Sequence, residues 1–476
     1  MSANRITYPD ALEIVPLNSP PSTAVSMPGS KSITNRALVL AALCSARPFG
    51  CYLTDPLVSE DTEVMIECLR RLGFQVDVLH GEPASLAQVR QDLRNCGLDL
   101  GEVPDVTVRV SRPQDAPVVP ASEADLFVAN SGTTMRFLTA FVSLGNGRYR
   151  LDGVPRMRER PIEDLLTALR QLGVCAYSER GNGCPPVVVE ARGLNGGQVR
   201  IKGDRSSQFL SGLLLAAPCA RDWITIRVEG QLVSWPYVLM TVELMRQFGI
   251  TVHATCDSSF LVPAPQQFCK DRFHIEPDAS AASYFFAAAA ITGGRVTVLG
   301  LPENSLQGDV RFVDLLADMG CRVERCSSGI TVHGRPLHGI DVDMNDISDT
   351  VMTLAAVACF AEGPTTIRNV AHIRYKETDR LAALAAELRR LGAGVEEFAD
   401  GLTITPRPLH GAVVETYNDH RMAMSLALVG LRVPGVVIKN PGCVAKTYPN
   451  FFDDLEKLRQ HEPPEHRQET ERKEQP

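Results

Sequence analysis

Five segments of this 476-residue chain share one ending. RRLGFQV, RQLGVCA, RQFGITV, ADMGCRV and RRLGAGV each carry an amphipathic stretch to a glycine, at Gly73, Gly173, Gly249, Gly320 and Gly392, and then enter a strand-like run. Glycine just past a helix is the usual left-handed stop, because it lacks the Cβ that makes positive φ costly. The glycines lie 100, 76, 71 and 72 residues apart. The chain therefore reads as a repeat of roughly 70 residues, with an insertion in the first interval near residues 80–118.

A sixth copy ends in FFDDLEKLRQ and lacks its strand, while ALEIVPL (Ala11–Leu17) is strand-like with no helix of its own before it. The N-terminus is expected to close the last repeat. This predicts a discontinuous domain, 1–27 plus 275–460, interrupted by an inserted domain, 28–274, each of three repeats and of ordinary size. The two chain crossings between them predict a hinge. Residues 461–476 are charged, contain proline and have no large apolar side chain, which predicts a disordered tail.

Each repeat also holds an apolar segment. FFAAAAI, LAAVACFA and LSGLLLAA are apolar nearly all round, which suits a helix in the middle of a core and not on its surface. Short β-rich runs follow, among them YRLDG, ITIRVEG, RVTVLG, TTIRNV and GVVIKN. The expected fold class is α/β with helices inside and sheets outside, the reverse of the common layering.

Composition narrows the function. With 44% hydrophobic and 22% charged residues the chain is globular. No apolar run reaches the ~18 residues needed to cross a bilayer, and the first thirty residues lack a basic start followed by an apolar block, so a cytoplasmic protein without a membrane partner is expected. Thirteen cysteines, odd in number and without CxxC or HExxH, fit a reducing compartment, with neither a disulfide framework nor a zinc site. Most of them read as core residues. A net charge of -8 argues against a nucleic-acid surface, so basic residues gathered at helix starts are a local inversion of the overall balance.

Those helix starts carry the chemistry. PGSKSITNR (Pro28–Arg36), NSGTTMR (Asn130–Arg136), DRSSQF (Asp204–Phe209), PDASAAS (Pro277–Ser283), DISDTVM (Asp346–Met352) and NDHRMAM (Asn418–Met424) each precede an apolar segment. A helix N-terminus carries about half a positive charge, so Lys31 and Arg36 are disfavoured there unless a negative group lies between them, which marks an anion site. The plainer reading of one such segment is that Ser32 or Thr34 caps the helix while Lys31 and Arg36 reach into water. Recurrence at six helix starts weighs against it. The loops before the amphipathic helices supply VPRMRERP (Val154–Pro161), LVSWPY (Leu232–Tyr237), HIRYKETDR (His372–Arg380) and CVAKTYP (Cys443–Pro449). In KETDR, Lys376, Glu377 and Arg380 are expected at i, i+1 and i+4 of a helix start, with Lys376 and Arg380 on one face. A solvated, ion-paired turn is the alternative.

Taken in order, PGSKSITNR, NSGTTMRFL, PRMRERPI, SSQFLSGLL, KETDR, NDHRMAM and AKTYPNFF resemble the motifs of the 5-enolpyruvylshikimate-3-phosphate synthase family of enolpyruvyl transferases, over about residues 11–458. The resemblance implies a two-domain inside-out α/β barrel of six βαβαββ repeats, three per domain, closing over a cleft. It implies transfer of the enolpyruvyl (carboxyvinyl) group of phosphoenolpyruvate to the 5-hydroxyl of shikimate 3-phosphate by addition and elimination, with release of phosphate. That is a step of the shikimate pathway to chorismate and the aromatic amino acids, carried out by a monomer without metal or organic cofactor. By position, shikimate 3-phosphate falls to Lys31, Ser32, Arg36, Ser206, Ser207, Gln208, Ser234, Asp349, His372 and Lys376, with Tyr237 as a further candidate. Phosphoenolpyruvate falls to Lys31, Gly132, Arg160, Gln208, Arg380, Arg421 and Lys446. Two positions depart from the pattern: His372 stands where asparagine is frequent, and Ser131 where many members have alanine, beside the glycine that governs how glyphosate fits.

The implied reaction needs one base and one acid. The 5-hydroxyl loses a proton as it attacks C2 of the enol while C3 gains one, and elimination reverses the flow. Asp349 matches the acceptor, with Lys31 near enough to stabilise developing charge, and Glu377 with Lys446 is the candidate for protonating C3. Three other identities fit less well. The transferase acting on UDP-N-acetylglucosamine carries a cysteine in the loop equivalent to PRMRERP, and none lies between Leu151 and Ala168. A P-loop needs glycine where Val25 and Ser30 stand. A non-catalytic anion-binding scaffold leaves the carboxylates dispensable, so Asp349→Ala with a phosphate-release assay separates it from an enzyme.

Overall fold

The computed structural model describes residues 7–44, 50–80, 106–255 and 259–459. The expected tail at 461–476 and most of the expected insertion lie outside these residues. The chain divides into two compact units, one of Met1–Met27, Pro277–Arg374 and Thr378–Pro476, the other of Pro28–Glu276 with Tyr375–Glu377. We call these the outer-segment unit and the central unit.

Among the described residues the helices alternate between two environments. The central unit holds α1 (Lys31–Cys44), α2 (Glu60–Arg71), α3 (Gly132–Phe141), α4 (Glu163–Gln171), α5 (Ser207–Ala216) and α6 (Trp235–Gln247). The outer-segment unit holds α7 (Ala279–Thr292), α8 (Phe312–Asp318), α9 (Val351–Ala358), α10 (Arg380–Arg390), α11 (His420–Gly430) and α12 (Phe451–Glu456). Odd-numbered helices are engulfed: every residue of α3, α9 and α11 is buried, and α7 is buried from Ala279 to Ile291. Even-numbered helices bury a stripe. In α2, Met65, Ile66, Cys68 and Leu69 face inward while Glu67, Arg70 and Arg71 are exposed. A helix without a polar face has nothing to show to water, and α3 packs on α5 and α9 on α11.

The sheets follow one plan, a parallel pair extended by an antiparallel hairpin. Glu123–Phe127 runs parallel to Asn146–Asp152, which pairs antiparallel with Val187–Arg192, which pairs in turn with Cys175–Ser178. Gly197–Lys202, Ile224–Glu229, Ser259–Val262 and His253–Ala254 repeat it. In the sheet of Cys51–Thr54, Val106–Ser111 and Gln75–His80, the leading parallel strand is Arg272–His274, from the far end of the central unit. In the outer-segment unit, Ser22–Ser26 leads Arg295–Leu299, and Asp341–Asp343 leads Thr365–Arg368. The sixth sheet joins Val413–Val414 to Val436–Lys439, and Ala11–Ile14 adds antiparallel to Val436–Lys439, so the N-terminal segment stands where the other sheets have a hairpin strand.

The five stop glycines all have positive φ, from +82° at Gly173 to +114° at Gly320. At Gly320 a side chain would also collide, its Cβ lying 2.7 Å from the Pro336 carbonyl oxygen. Each unit is thus an α/β structure with helices inside and sheets outside.

Candidate active site

Serine and aspartate caps set the helix starts. Ser131 Oγ accepts from Thr134 N, Ser206 Oγ from Gln208 N at 3.2 Å, Asp278 Oδ1 from Ala281 N at 2.8 Å and Asp419 Oδ1 from Arg421 N at 2.9 Å. For α1 the cap is Ser30, whose Oγ accepts from Ile33 N at 3.4 Å, and not Ser32 or Thr34. Thr34 Oγ1 accepts instead from Leu57 N, tying the helix start to a neighbouring loop.

In the central unit, Lys31 Nζ lies 3.8 Å from Asp61 Oδ2, so α2 supplies part of its counter-charge. Arg36 is buried, and each nitrogen of its guanidinium donates internally: Nε to Thr241 Oγ1 at 2.7 Å, Nη1 to the Ser32 carbonyl at 2.8 Å and Nη2 to the Tyr237 carbonyl at 3.1 Å. Burial pushes its pKa down to about 10. Arg36 therefore has protein acceptors on both α1 and α6. Its guanidinium also stacks 5.1 Å from the centre of the Phe137 ring.

Gly132 sits between two buried guanidiniums. A Cβ there would lie 2.5 Å from Arg160 Nη2 and 2.6 Å from Arg136 Nη1, so any side chain at this position would shift a guanidinium. Arg160 Nη1 donates to the Asn130 carbonyl at 3.1 Å and lies 3.9 Å from Glu377 Oε1. Burial, and after it the charge of Arg160, hold the Arg136 pKa well below the usual guanidinium value. Two cations this close, both shielded from water, form a place where an anion is electrostatically favoured. Gln208 Nε2 donates to Thr133 Oγ1 at 3.3 Å, bringing the start of α5 to that of α3. Ser207 and Ser234 are buried, and Ser234 holds a left-handed φ of +54° just before α6. Lys376 presents its carbonyl to Arg156 Nε at 3.3 Å.

In the outer-segment unit, two arginines and two aspartates interlock. Asp349 Oδ2 accepts from Arg421 Nη2 at 2.8 Å, and its Oδ1 accepts from Arg380 Nη1 at 3.4 Å. Asp419 Oδ2 accepts from Arg380 Nε at 2.8 Å. Arg421 Nη1 donates to the Tyr284 hydroxyl at 3.3 Å, and burial raises the pKa of that phenol to about 12. Lys446 is buried in the 3-10 turn Pro441–Lys446, and His372 in the turn Ala371–Tyr375.

KETDR is not a helix start with Lys376 and Arg380 on one face. Asp379 caps α10, its Oδ1 accepting from Ala382 N at 3.1 Å, so the helix begins at Arg380. Lys376 and Glu377 precede the cap, where the helical i, i+4 spacing does not apply. Four residues of these clusters are absent from the sequence-derived set: Arg136, Asp419, Thr241 and Tyr284. Arg136 and Asp419 lie inside motifs already marked, NSGTTMR and NDHRMAM. Thr241 and Tyr284 carry no signal, since each sits in what reads as ordinary helix packing.

Among the described residues no helix is long and apolar enough to cross a membrane, and no group of three or more His, Cys, Asp or Glu is placed to hold a metal ion. The family model for EPSP synthase (3-phosphoshikimate 1-carboxyvinyltransferase) matches residues 18–100 and 86–455. A protein of Nostoc punctiforme named 3-phosphoshikimate 1-carboxyvinyltransferase is 49% identical over 93% of this chain and 98% of its own length. The chloroplastic protein of that name from Arabidopsis thaliana is 44% identical over 92% of this chain and 83% of its own. The solved structure of EPSP synthase from Acinetobacter baumannii superposes with a TM-score of 0.72 at 24% identity, covering 94% of this chain and 98% of that one, which shows a shared fold. The chain belongs to the EPSP synthase (3-phosphoshikimate 1-carboxyvinyltransferase) family.

Proposed function

We propose that this protein transfers the carboxyvinyl group of phosphoenolpyruvate to the 5-hydroxyl of shikimate 3-phosphate and releases phosphate, in the route to chorismate and the aromatic amino acids. The observation that carries this reading is the likeness, over nine-tenths of the chain, to bacterial and plant relatives that bear the name of that reaction. Shikimate 3-phosphate is assigned to Lys31, Ser32, Arg36, Ser206, Ser207, Gln208, Ser234, Asp349, His372 and Lys376, with Tyr237 beside them. Phosphoenolpyruvate is assigned to Lys31, Gly132, Arg160, Gln208, Arg380, Arg421 and Lys446. The buried guanidiniums flanking Gly132 support the second set, and Arg136 joins it on the same geometry. Each charge-assisted hydrogen bond to a phosphate or carboxylate contributes roughly 1.5–3 kcal/mol.

Asp349 accepts the proton of the 5-hydroxyl as it attacks C2, and Glu377 with Lys446 delivers a proton to C3. Elimination of phosphate from the tetrahedral adduct then removes a proton from C3 and restores the vinyl group. Glu377 lies 3.9 Å from the Arg160 guanidinium, which supports its placement beside the phosphoenolpyruvate set. The reaction runs within one chain in the cytoplasm. A phosphate-release assay with both substrates, omitting each in turn, tests the assignment: release is expected only with both. Trp235 adjoins Ser234, so shikimate 3-phosphate is expected to change tryptophan emission, and an unchanged spectrum at saturating ligand contradicts that contact.

A further inference from the structure

The cationic pair assigned to phosphoenolpyruvate in the outer-segment unit already holds a carboxylate. Asp349 bridges the two guanidiniums, 2.8 Å from Arg421 Nη2 and 3.4 Å from Arg380 Nη1. With Asp419 on Arg380, these two carboxylates offset charge on both guanidiniums, which weakens their pull on an incoming anion. An anion can gain the full attraction of these arginines only by displacing one of the aspartates.

The two aspartates are not equally displaceable. Asp419 is fully buried, grips Arg380 through both Nε at 2.8 Å and Nη2 at 3.3 Å, and also caps α11. Asp349 stays partly accessible, its side chain 12% exposed, and it comes from the single 3-10 turn Ser348–Thr350 ahead of α9. Its Oδ2 accepts from Arg421 and its Oδ1 from Arg380, and it is also the residue assigned to accept the proton.

We infer that Asp349 is a placeholder: in the unloaded protein it stands where the substrate carboxylate will bind, and phosphoenolpyruvate takes over Arg380 and Arg421 and releases Asp349 to act as base. The inference rests on the carboxyvinyl-transfer reading, which supplies both the substrate and the base role. The exchange swaps ionic contacts and neither makes nor breaks a covalent bond. The proton of the 5-hydroxyl passes to Asp349 only after its oxygens leave the guanidiniums. Tyr284, whose hydroxyl faces Arg421 Nη1, is a positioning residue that keeps this guanidinium in place while its carboxylate partner changes. The base is thereby held inactive until phosphoenolpyruvate arrives.

A placeholder opposes substrate binding and serves turnover, so its removal moves the two in opposite directions. In calorimetric titration of the full-length protein with phosphoenolpyruvate alone, Asp349→Asn is expected to bind at least tenfold tighter than wild type. Phosphate release with both substrates is expected to fall at least a hundredfold. Equal or weaker binding by Asp349→Asn overturns the inference. A wild-type crystal soaked in phosphoenolpyruvate gives a second reading that does not depend on the variant's folding. The Arg421–Asp349 contact is expected to open beyond hydrogen-bond reach, and its persistence with the substrate carboxylate on both arginines overturns the inference as well. Failure of the functional reading shows separately, as wild-type protein that releases no phosphate from the two substrates together.

Discussion

At Gly132 one hydrogen decides whether two guanidiniums keep their places. The nearest contact of a methyl group there would be 2.5 Å, with Arg160 Nη2, so Gly132→Ala must push Arg160 or Arg136 aside. Displacement of a binding group by ~1 Å can cost as much as about a hundredfold in rate. Steady-state kinetics are expected to show KM for phosphoenolpyruvate raised roughly tenfold or more, with KM for shikimate 3-phosphate changed far less; equal increases contradict the placement. Tyr284 gives a pH test. Its folded pKa of about 12 exceeds the ordinary phenol value of 10.0, so below pH 10 both states keep the proton and this group adds no pH dependence. Between 10 and 12 the unfolded chain loses its proton first, and stability falls as pH rises. Denaturation of wild type and Tyr284→Phe at pH 8 and pH 11 is expected to show the wild type losing more. Lysines and arginines at helix starts were legible in the sequence because charge there needs a reason. Tyr284 was not, because AASYFFAAAA reads as packing and the one polar atom that matters is invisible to periodicity.

The helices and turns that carry these residues divide along the same line. Stop glycines were legible because only one residue type accepts the left-handed conformation cheaply, and the repeat follows from their spacing. Gly293, after α7, has φ +72° and open space around an added Cβ, so Gly293→Ala carries the backbone cost alone, about 1 kcal/mol. Gly320→Ala adds the contact with Pro336 O and is expected to lose clearly more in urea denaturation; equal losses contradict the packing at Gly320. The strands Ser22–Ser26 and Arg272–His274 escaped notice because they are short and become strands only by pairing far along the chain. The start of α10 was misplaced for a local reason: in KETDR the capping aspartate follows the charged pair, so Lys376 and Glu377 fall in the loop.

Across the described residues of the whole molecule, each compact unit has its own engulfed helices and its own three sheets. The helix-inside arrangement was legible because FFAAAAI and its counterparts have no polar face, whereas the pairing of sheets is set by contacts that no local pattern encodes. Removing Asp349 takes a counter-charge from two buried guanidiniums in the outer-segment unit, at a cost of roughly 3 kcal/mol. In scanning calorimetry Asp349→Asn is expected to lower the melting temperature, with phosphoenolpyruvate restoring part of the loss; an unchanged melting temperature contradicts the counter-charge role of Asp349. The most direct test is catalysis itself. Inorganic phosphate should appear when purified protein meets phosphoenolpyruvate and shikimate 3-phosphate together and not with either alone, whereas release without shikimate 3-phosphate, or none with both, contradicts carboxyvinyl transfer.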